Sequence, residues 1–283
     1  MRVGTFGGIP VYIHWSFWLL IAVYFFSAVT SSGLGAALYA VAFILAIFVC
    51  VVLHEFGHAA AAAMFGIPTA DITLLPIGGV ARLRRLPENP LHELVIAVAG
   101  PAVNVVIAGV LLIPWMLGAA VGRAAPGLGA GTDFLEQVIA ANIVLVVFNL
   151  LPAFPMDGGR VLRAFLAMRM GQLRATQIAA RVGRWMALIF FLMGLIYGHF
   201  ILLLIAAFVF FAGTAELLNV RMREIARAQQ AAAMRRAPMW YYHVWPKQGS
   251  YYDWDSQYAD PTEDPDVIDV DYEVIDSGRP KRL

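Results

Sequence analysis

A run of apolar residues from Ala46 to Met64 carries three ionisable side chains, His54, Glu55 and His58, within five positions. In a membrane-spanning helix each such group costs about 3 kcal/mol or more unless an ion or a partner compensates it. Residues four apart lie on one helix face, so the two histidines can offer nitrogens to one metal ion. This spacing is typical of a zinc-hydrolase site with a glutamate general base. The alternative is a polar cluster that binds a neighbouring helix.

The composition indicates an integral membrane protein with a polar appendage. Hydrophobic residues make up 60% of the 283 positions and charged residues only 14%, whereas soluble domains have about 25% charged residues. The single cysteine, Cys50, excludes an intramolecular disulfide. Cys50 precedes His54 by one helical turn. We interpret it as a small buried residue rather than as a metal ligand. Nothing in the sequence indicates nucleic-acid binding.

The apolar segments predict an all-α polytopic membrane protein with six transmembrane helices. A short segment after the second helix, residues 69–85, has a β-like pattern and is either re-entrant or a plain cytosolic hairpin. As a strand it could pair with an unwound substrate backbone. The six helices are expected at about 11–32, 34–65, 91–117, 134–152, 178–197 and 200–218.

The chain is predicted to contain two parts. Residues 1–220 form the membrane domain, and residues 221–283 form a polar, acidic cytosolic tail that we expect to be disordered. Within that tail, residues 253–276 hold ten Asp or Glu and no Lys or Arg.

The distribution of arginine predicts the orientation of the helices. With six spans, fifteen arginines fall on one side and Arg123 alone on the other. Arginine and lysine are enriched in cytoplasmic loops, so both termini should be cytosolic. The six arginines of 158–184, including Arg163, are assigned to a cytosolic loop, and Glu93 to a helix cap or the headgroup region.

The segment 149–160 must interrupt its helix, because Pro152 and Pro155 lie three residues apart. Irregular backbone at membrane depth is tolerated only where protein or a water-filled cavity covers it. This makes Asp157 the predicted third zinc ligand. The alternative is a carboxylate that caps a helix starting at Gly158.

Together these segments resemble the site-2 protease family of intramembrane zinc metalloproteases. The opening Gly-Ile-Pro-Val-Tyr-Ile-His-Trp looks like the short bacterial branch of that family, and neither a PDZ-type insertion nor a CBS domain is evident. The residues that carry the resemblance are His54-Glu55-x-x-His58, Gly78-Gly79, Gly100-Pro101-x-x-Asn104 and Asn149-x-x-Pro152-x-x-Pro155-x-Asp157-Gly158.

The resemblance implies a site in which one zinc ion per chain is bound by His54, His58 and Asp157. Glu55 would be the catalytic base and acid, and Asn149 would position substrate or stabilise the oxyanion. Contacts with substrate are expected at the remaining motif residues, Gly78, Gly79, Asn104, Pro152 and Pro155.

The resemblance further implies a zinc metalloendopeptidase that cleaves transmembrane segments of membrane-tethered proteins within the bilayer. Its substrates would be single-span membrane proteins such as anti-sigma factors or remnant signal peptides, and its location the bacterial inner membrane. One alternative is a metal transporter that uses the same ligands. Another is a catalytically silent protein that binds membrane partners. The sequence leaves the oligomeric state open.

Overall fold

The computed structural model describes residues 1–124 and 132–236, except residues 77, 86 and 88. The chain divides into two units, Met1–Ala228 and Gln229–Leu283. Of the second unit only residues 229–236, the end of the last helix, are described. The predicted disordered tail beyond residue 236 therefore lies outside the described residues.

The described chain is mostly helical, as predicted, but it is not all-α. Four of its helices contain stretches that are long and apolar enough to cross a membrane: Trp15–Met64, Pro90–Ala120, Gln172–Tyr197 and Phe200–Gln230. The helices are α1 (Trp15–Met64), α2 (Pro90–Ala124), α3 (Thr132–Asn149), α4 (Asp157–Met170), α5 (Gln172–Tyr197) and α6 (Phe200–Arg236), and the strands are β1 (Arg2–Phe6), β2 (Ile9–Ile13), β3 (Thr69–Leu75) and β4 (Gly78–Leu83).

The four strands form one sheet in the order β1-β2-β3-β4. β1 with β2 and β3 with β4 are antiparallel hairpins, and β2 pairs with β3 in parallel, with Val11 opposite Ile72. Both of these residues are buried against the side of α1 that carries Phe48. In the second hairpin Arg82 donates to Asp71 over 2.9 Å, and this carboxylate raises the pKa of Arg82. Segment 69–85 is therefore a hairpin whose partner strand comes from the N-terminus.

The first helix begins later than predicted. Residues 11–13 belong to β2, and α1 starts at Trp15 with His14 as its N-cap. Within the apolar run of residues 11–32, His14 and Ser16 are the polar residues at this boundary. The first residues of the run become a strand because β3, about 60 positions away, supplies hydrogen-bonding partners.

α1 covers both of the first two predicted helices, and Gly33 lies at their predicted junction. Its backbone has φ 86° and ψ 175°, which is not helical. This region of backbone conformation is essentially restricted to glycine. Gly33 therefore divides a 50-residue helix into two apolar segments.

Four further helix ends differ from the prediction by three residues or more, and the first is the end of α2, which lies at Ala124 rather than at 117. α3 ends at Asn149 rather than at 152, α5 begins at Gln172 rather than at 178, and α6 continues past 218 to Arg236. The arginine-rich segment assigned to a loop contains a helix of its own, α4. It is helical because its arginines alternate with good helix formers and because small residues of α4 and α5 pack closely. The buried ones include Ala164, Ala167, Ala175, Ala179 and Ala180.

An ionic cluster joins α4 to two other helices. Arg163, only 6% exposed, donates through Nε to Oε1 of Glu93 on α2 over 2.8 Å. Its Nη1 also donates to Glu216 on α6. Glu93 lies in the first turn of α2 but is 2% exposed, so its side chain does not face the headgroup region. Arg163 lies in a helix, so its assignment to a loop is wrong. The burial of both side chains was missed because their partners lie on other helices.

Replacing Gly33 by alanine should destabilise the protein. The added Cβ meets nothing within 4 Å, so the cost of about 1–3 kcal/mol comes from the backbone conformation alone. The measurement is thermal unfolding of the purified variant in detergent. Gly35→Ala is the matched control, because its Cβ also meets nothing within 4 Å and its backbone is helical. Equal stability of the two variants would contradict the assigned role of Gly33.

Arg163→Met should also lower stability, because it leaves the Glu93 carboxylate buried without its partner. Removal of one member of a buried ion pair costs about 3–5 kcal/mol. Arg169→Met on the exposed side of the same helix should change the free energy of unfolding by less than about 0.5 kcal/mol. Chemical unfolding of both variants in mild detergent gives the comparison, and equal effects would show that the cluster does not tie the helices together.

Candidate metal centre

The structure brings His54, His58 and Asp157 together as a group whose ligand atoms could hold one metal ion. The two histidines lie one turn apart on α1, and Asp157 is the first residue of α4. All three are buried. Their facing atoms form a nearly equilateral triangle: Nε2 to Nε2 is 3.1 Å, and Asp157 Oδ2 lies 3.2 Å from His54 Nε2 and 3.1 Å from His58 Nε2.

These distances fit a tetrahedral zinc site. Ligand atoms held at about 2.0–2.1 Å from a tetrahedral ion lie about 3.3 Å from one another. Three protein ligands leave one position of the tetrahedron for water or substrate, which is the pattern of catalytic zinc sites.

The other nitrogens of the two imidazoles show which atoms carry protons. His58 Nδ1 lies 2.7 Å from the Ile96 carbonyl oxygen, which can only accept, so Nδ1 of this ring is the donor. His54 Nδ1 lies 2.5 Å from Asn104 Oδ1 and likewise donates. In the neutral rings both Nε2 atoms then present lone pairs to Asp157 Oδ2. Three acceptors that face one another at this distance suit a cation held between them.

Glycine allows α2 to pass directly over this group. A Cβ on Gly100 would lie 2.3 Å from His58 Nε2 and 2.7 Å from His54 Nε2. At Gly57, on α1, a Cβ would lie 2.8 Å from the Ala99 carbonyl oxygen. The two helices therefore approach through glycine on both sides, which explains why Gly100 belongs to the motif.

Asp157 is positioned by the irregular segment before α4. Met156 occupies the N-cap of this helix. The alternative in which the Asp157 carboxylate caps a helix starting at Gly158 is therefore not observed. A Cβ on Gly158 would lie 2.3 Å from the carbonyl oxygens of both Leu150 and Leu151, so the chain can fold back only over glycine. Arg160 Nη1 lies 3.6 Å from Asp157 Oδ1, the carboxylate oxygen that does not face the histidines.

Glu55 is held beside the metal group by strand β4. The backbone N–H of Ala81 donates to Glu55 Oε2 over 3.1 Å. A Cβ on Gly79 would lie 2.6 Å from Glu55 Cγ, so this glycine lets the strand lie against the Glu55 side chain. The glutamate is not a ligand of the triangle, and it faces the cavity in front of it.

A cavity of about 380 Å³ opens in front of the metal group. Most of the motif residues line it, whereas Asn104 is fully buried behind His54 and Pro152 is exposed elsewhere. The lining includes His54, Glu55, His58, Gly78, Gly79, Asn149, Pro155, Asp157 and Arg160.

Two residues at the site were not singled out from the sequence. Arg160 lines the cavity, and Asn142, fully buried in α3, accepts a hydrogen bond from Asn104. A polar residue within an apolar run was the available indication for Asn142. Cys50 is buried, and its Sγ lies 3.3 Å from Asn142 Nδ2, consistent with the small buried residue predicted.

Apolar helices around a buried His-His-Asp group define a multi-pass membrane protein with a metal centre. A profile of peptidase family M50 matches residues 42–126 and 117–193. The chain belongs to this family.

Two curated relatives are named as zinc metalloproteases. The chain is 40% identical over 225 residues to a zinc metalloprotease of Methanocaldococcus jannaschii, an alignment that covers 80% of this chain and 62% of that protein. It is 30% identical over 239 residues to a protein of Synechocystis whose name describes a zinc metalloprotease, with 79% and 61% covered. The chain thus spans about three fifths of the length of these relatives.

The fold is similar to that of a solved structure, the site-2 protease from Methanocaldococcus jannaschii. The TM-score is 0.56 at 37% sequence identity, and the superposition covers 77% of this chain and 94% of the solved one.

Gly100→Ala should abolish metal binding, because the new methyl group would occupy the space beside both Nε2 atoms. We expect zinc content, measured by elemental analysis of the purified protein, to fall from about one ion per chain to near zero. Gly109→Ala on the same helix meets nothing within 4 Å and should retain zinc. A fully loaded Gly100→Ala protein would exclude this group as the zinc site.

Proposed function

We propose that this protein is an intramembrane zinc endopeptidase that cleaves transmembrane segments of membrane-tethered proteins. The observation that carries the proposal is the convergence of three lone-pair donors beside a glutamate that is not a ligand, at a cavity among apolar helices. Membership of peptidase family M50 supports the same activity.

His54, His58 and Asp157 are the residues that would hold the zinc ion. Bound there, zinc would polarise the scissile carbonyl group and make water a better nucleophile near neutral pH. Burial of all three ligands within the helices keeps the surroundings apolar, which strengthens electrostatic interactions with the reacting groups.

Glu55 is placed to act as general base and then as general acid. Its carboxylate borders the cavity, and the bond from the Ala81 N–H fixes one of its oxygens. The other oxygen can take a proton from water in the cavity and deliver it to the leaving amine. Asn149 lies on the cavity wall, where its amide can position the substrate carbonyl or stabilise the oxyanion.

The free edge of β4 supports binding of substrate as an extended strand. Among the described strands, β4 pairs only with β3. Neighbouring residues of a strand direct their backbone groups to opposite edges, and residues two apart share an edge. The backbone groups of Gly79 therefore lie at the edge from which Ala81 donates to Glu55. An unwound substrate segment that adds to this edge would bring its backbone to the cavity. Unwinding is required because a helix hides its peptide bonds in its own hydrogen bonds.

The membrane arrangement that we propose has six transmembrane segments. α1 would cross twice, on either side of Gly33, and α2, α3, α5 and α6 once each. The four apolar helices and the break at Gly33 support five of these segments. The 18-residue α3 is proposed as the sixth. The excess of arginine on one side supports a cytosolic location for both termini. We propose the bacterial inner membrane as the location of the enzyme, with the β3–β4 hairpin entering the membrane as a re-entrant segment beside the site.

The substrates that we propose are single-span membrane proteins, such as anti-sigma factors or remnant signal peptides. A cavity framed by apolar helices and a strand edge suits an apolar segment presented from within the bilayer. We propose that the substrate segment contacts Gly78, Gly79 and Pro155, which lie on the cavity wall. Asn104 and Pro152, which do not line it, would act on substrate only indirectly.

Glu55→Gln should abolish cleavage while zinc is retained. Loss of the general base lowers the rate by about 10²–10⁴-fold, whereas the ligands are untouched. The measurement is mass spectrometry of membrane-derived peptides from cells of a cognate host that express either protein, with zinc content determined in both purified forms. Fragments that end inside a membrane segment should appear only with the wild type.

The same experiment tests the alternatives. A metal transporter with these ligands would keep its function in Glu55→Gln, and a silent binding protein would give identical peptide profiles in both cells. Identical profiles with zinc retained would overturn the proposed peptidase.

A further inference from the structure

We infer that Asn142 is a positioning residue that fixes the tautomer of His54, and so sets the affinity of the site for its metal ion. The inference deepens the proposed function and rests on the metal centre described above. Asn142 does not line the cavity and contacts no ligand directly. It acts through Asn104.

The direction of each hydrogen bond follows from one backbone carbonyl. Asn142 Nδ2 lies 2.9 Å from the carbonyl oxygen of Val138, which can only accept. The amide nitrogen of Asn142 must therefore face Val138, and its Oδ1 must face Asn104. Asn104 Nδ2 lies 2.8 Å from this Oδ1 and is the donor, so Asn104 Oδ1 points at His54.

The consequence reaches the metal site. Since Asn104 presents an acceptor, His54 must carry its proton on Nδ1, and Nε2 keeps the lone pair that a metal requires. If the Asn104 amide were reversed, two carbonyl-type oxygens would face each other at Asn142, and the proton of the neutral ring would move to Nε2. Both amides have zero exposure, so water cannot relieve the wrong arrangement.

The two histidines are thus oriented by different means. His58 donates directly to a helix carbonyl, Ile96 O, and this orientation is fixed by the fold. His54 depends on two side-chain amides, each of which could rotate by 180° in isolation. The 2.9 Å bond from Asn142 to Val138 removes that freedom, and the contact with Cys50 Sγ is much weaker. The presence of a polar residue at position 142 is therefore explained by its indirect connection, through Asn104, to the ligand His54.

The test compares zinc affinity of full-length variants purified in detergent, by competition with a chelator. In Asn142→Leu, Asn104 loses its acceptor and is free to reverse, so zinc affinity should fall by about 10-fold or more. Asn142→Asp should stay within about threefold of wild type, because one carboxyl oxygen still accepts from Asn104 and a protonated one donates to Val138. A role in packing alone predicts instead that any loss of zinc affinity follows the loss of stability of each variant, which thermal unfolding of the same proteins measures.

Cys50→Ala is the matched control. It removes only the weak 3.3 Å contact between Sγ and Asn142 one turn from His54, and it should leave zinc affinity unchanged. The visible spectrum of the cobalt(II)-loaded proteins gives a second measurement, and it should be altered in Asn142→Leu alone. If that variant does not fold, Asn142→Ala takes its place.

Unchanged affinity in Asn142→Leu, or an equal loss in Asn142→Asp or Cys50→Ala, would overturn the inference. A wild-type protein that binds no zinc would instead overturn the metal centre itself. The two failures are therefore distinguished without any measurement of proteolysis.

Discussion

Three lone pairs converge on one point between α1 and α4, and much of the described structure serves to hold them there. Buried acceptors without a donor are costly in an apolar interior, so a cation bound between them would stabilise the arrangement. The ion would thereby join α1 to α4. Gly100 adds the third helix, because its missing side chain lets the α2 backbone cover both imidazoles.

Interactions of α4 with the surrounding helices and with the segment before it hold Asp157 in position. Arg163 holds this helix to α2 and α6 through Glu93 and Glu216, and Gly158 lets its first turn pack against the preceding segment. Each of these interactions is costly to break inside the bundle. α4 is therefore held firmly in the bundle, and it contributes one ligand to a site whose other two ligands lie on α1.

The sheet contributes a backbone N–H group to the site through β4. The N-terminal hairpin covers one edge of β3 through parallel pairing and leaves β4 on the outside, next to Glu55. A single strand thus orients the glutamate and offers an edge for another chain. Because the missing side chain of Gly79 lets the strand contact Glu55, the second glycine of the pair has a steric role at the site, independent of any contact with substrate.

The sequence by itself determined the local parts of the site. The spacing of His54 and His58 places both on one helix face, and the paired prolines after Asn149 force the break that brings Asp157 to them. These features follow from short-range geometry. Only the tertiary structure decided the N-terminal strands, the helix within 158–184, and the partners of Arg163 and Asn142. Each of these depends on contacts between residues distant in the chain, and an apolar run or an arginine-rich segment looks the same locally whatever it pairs with.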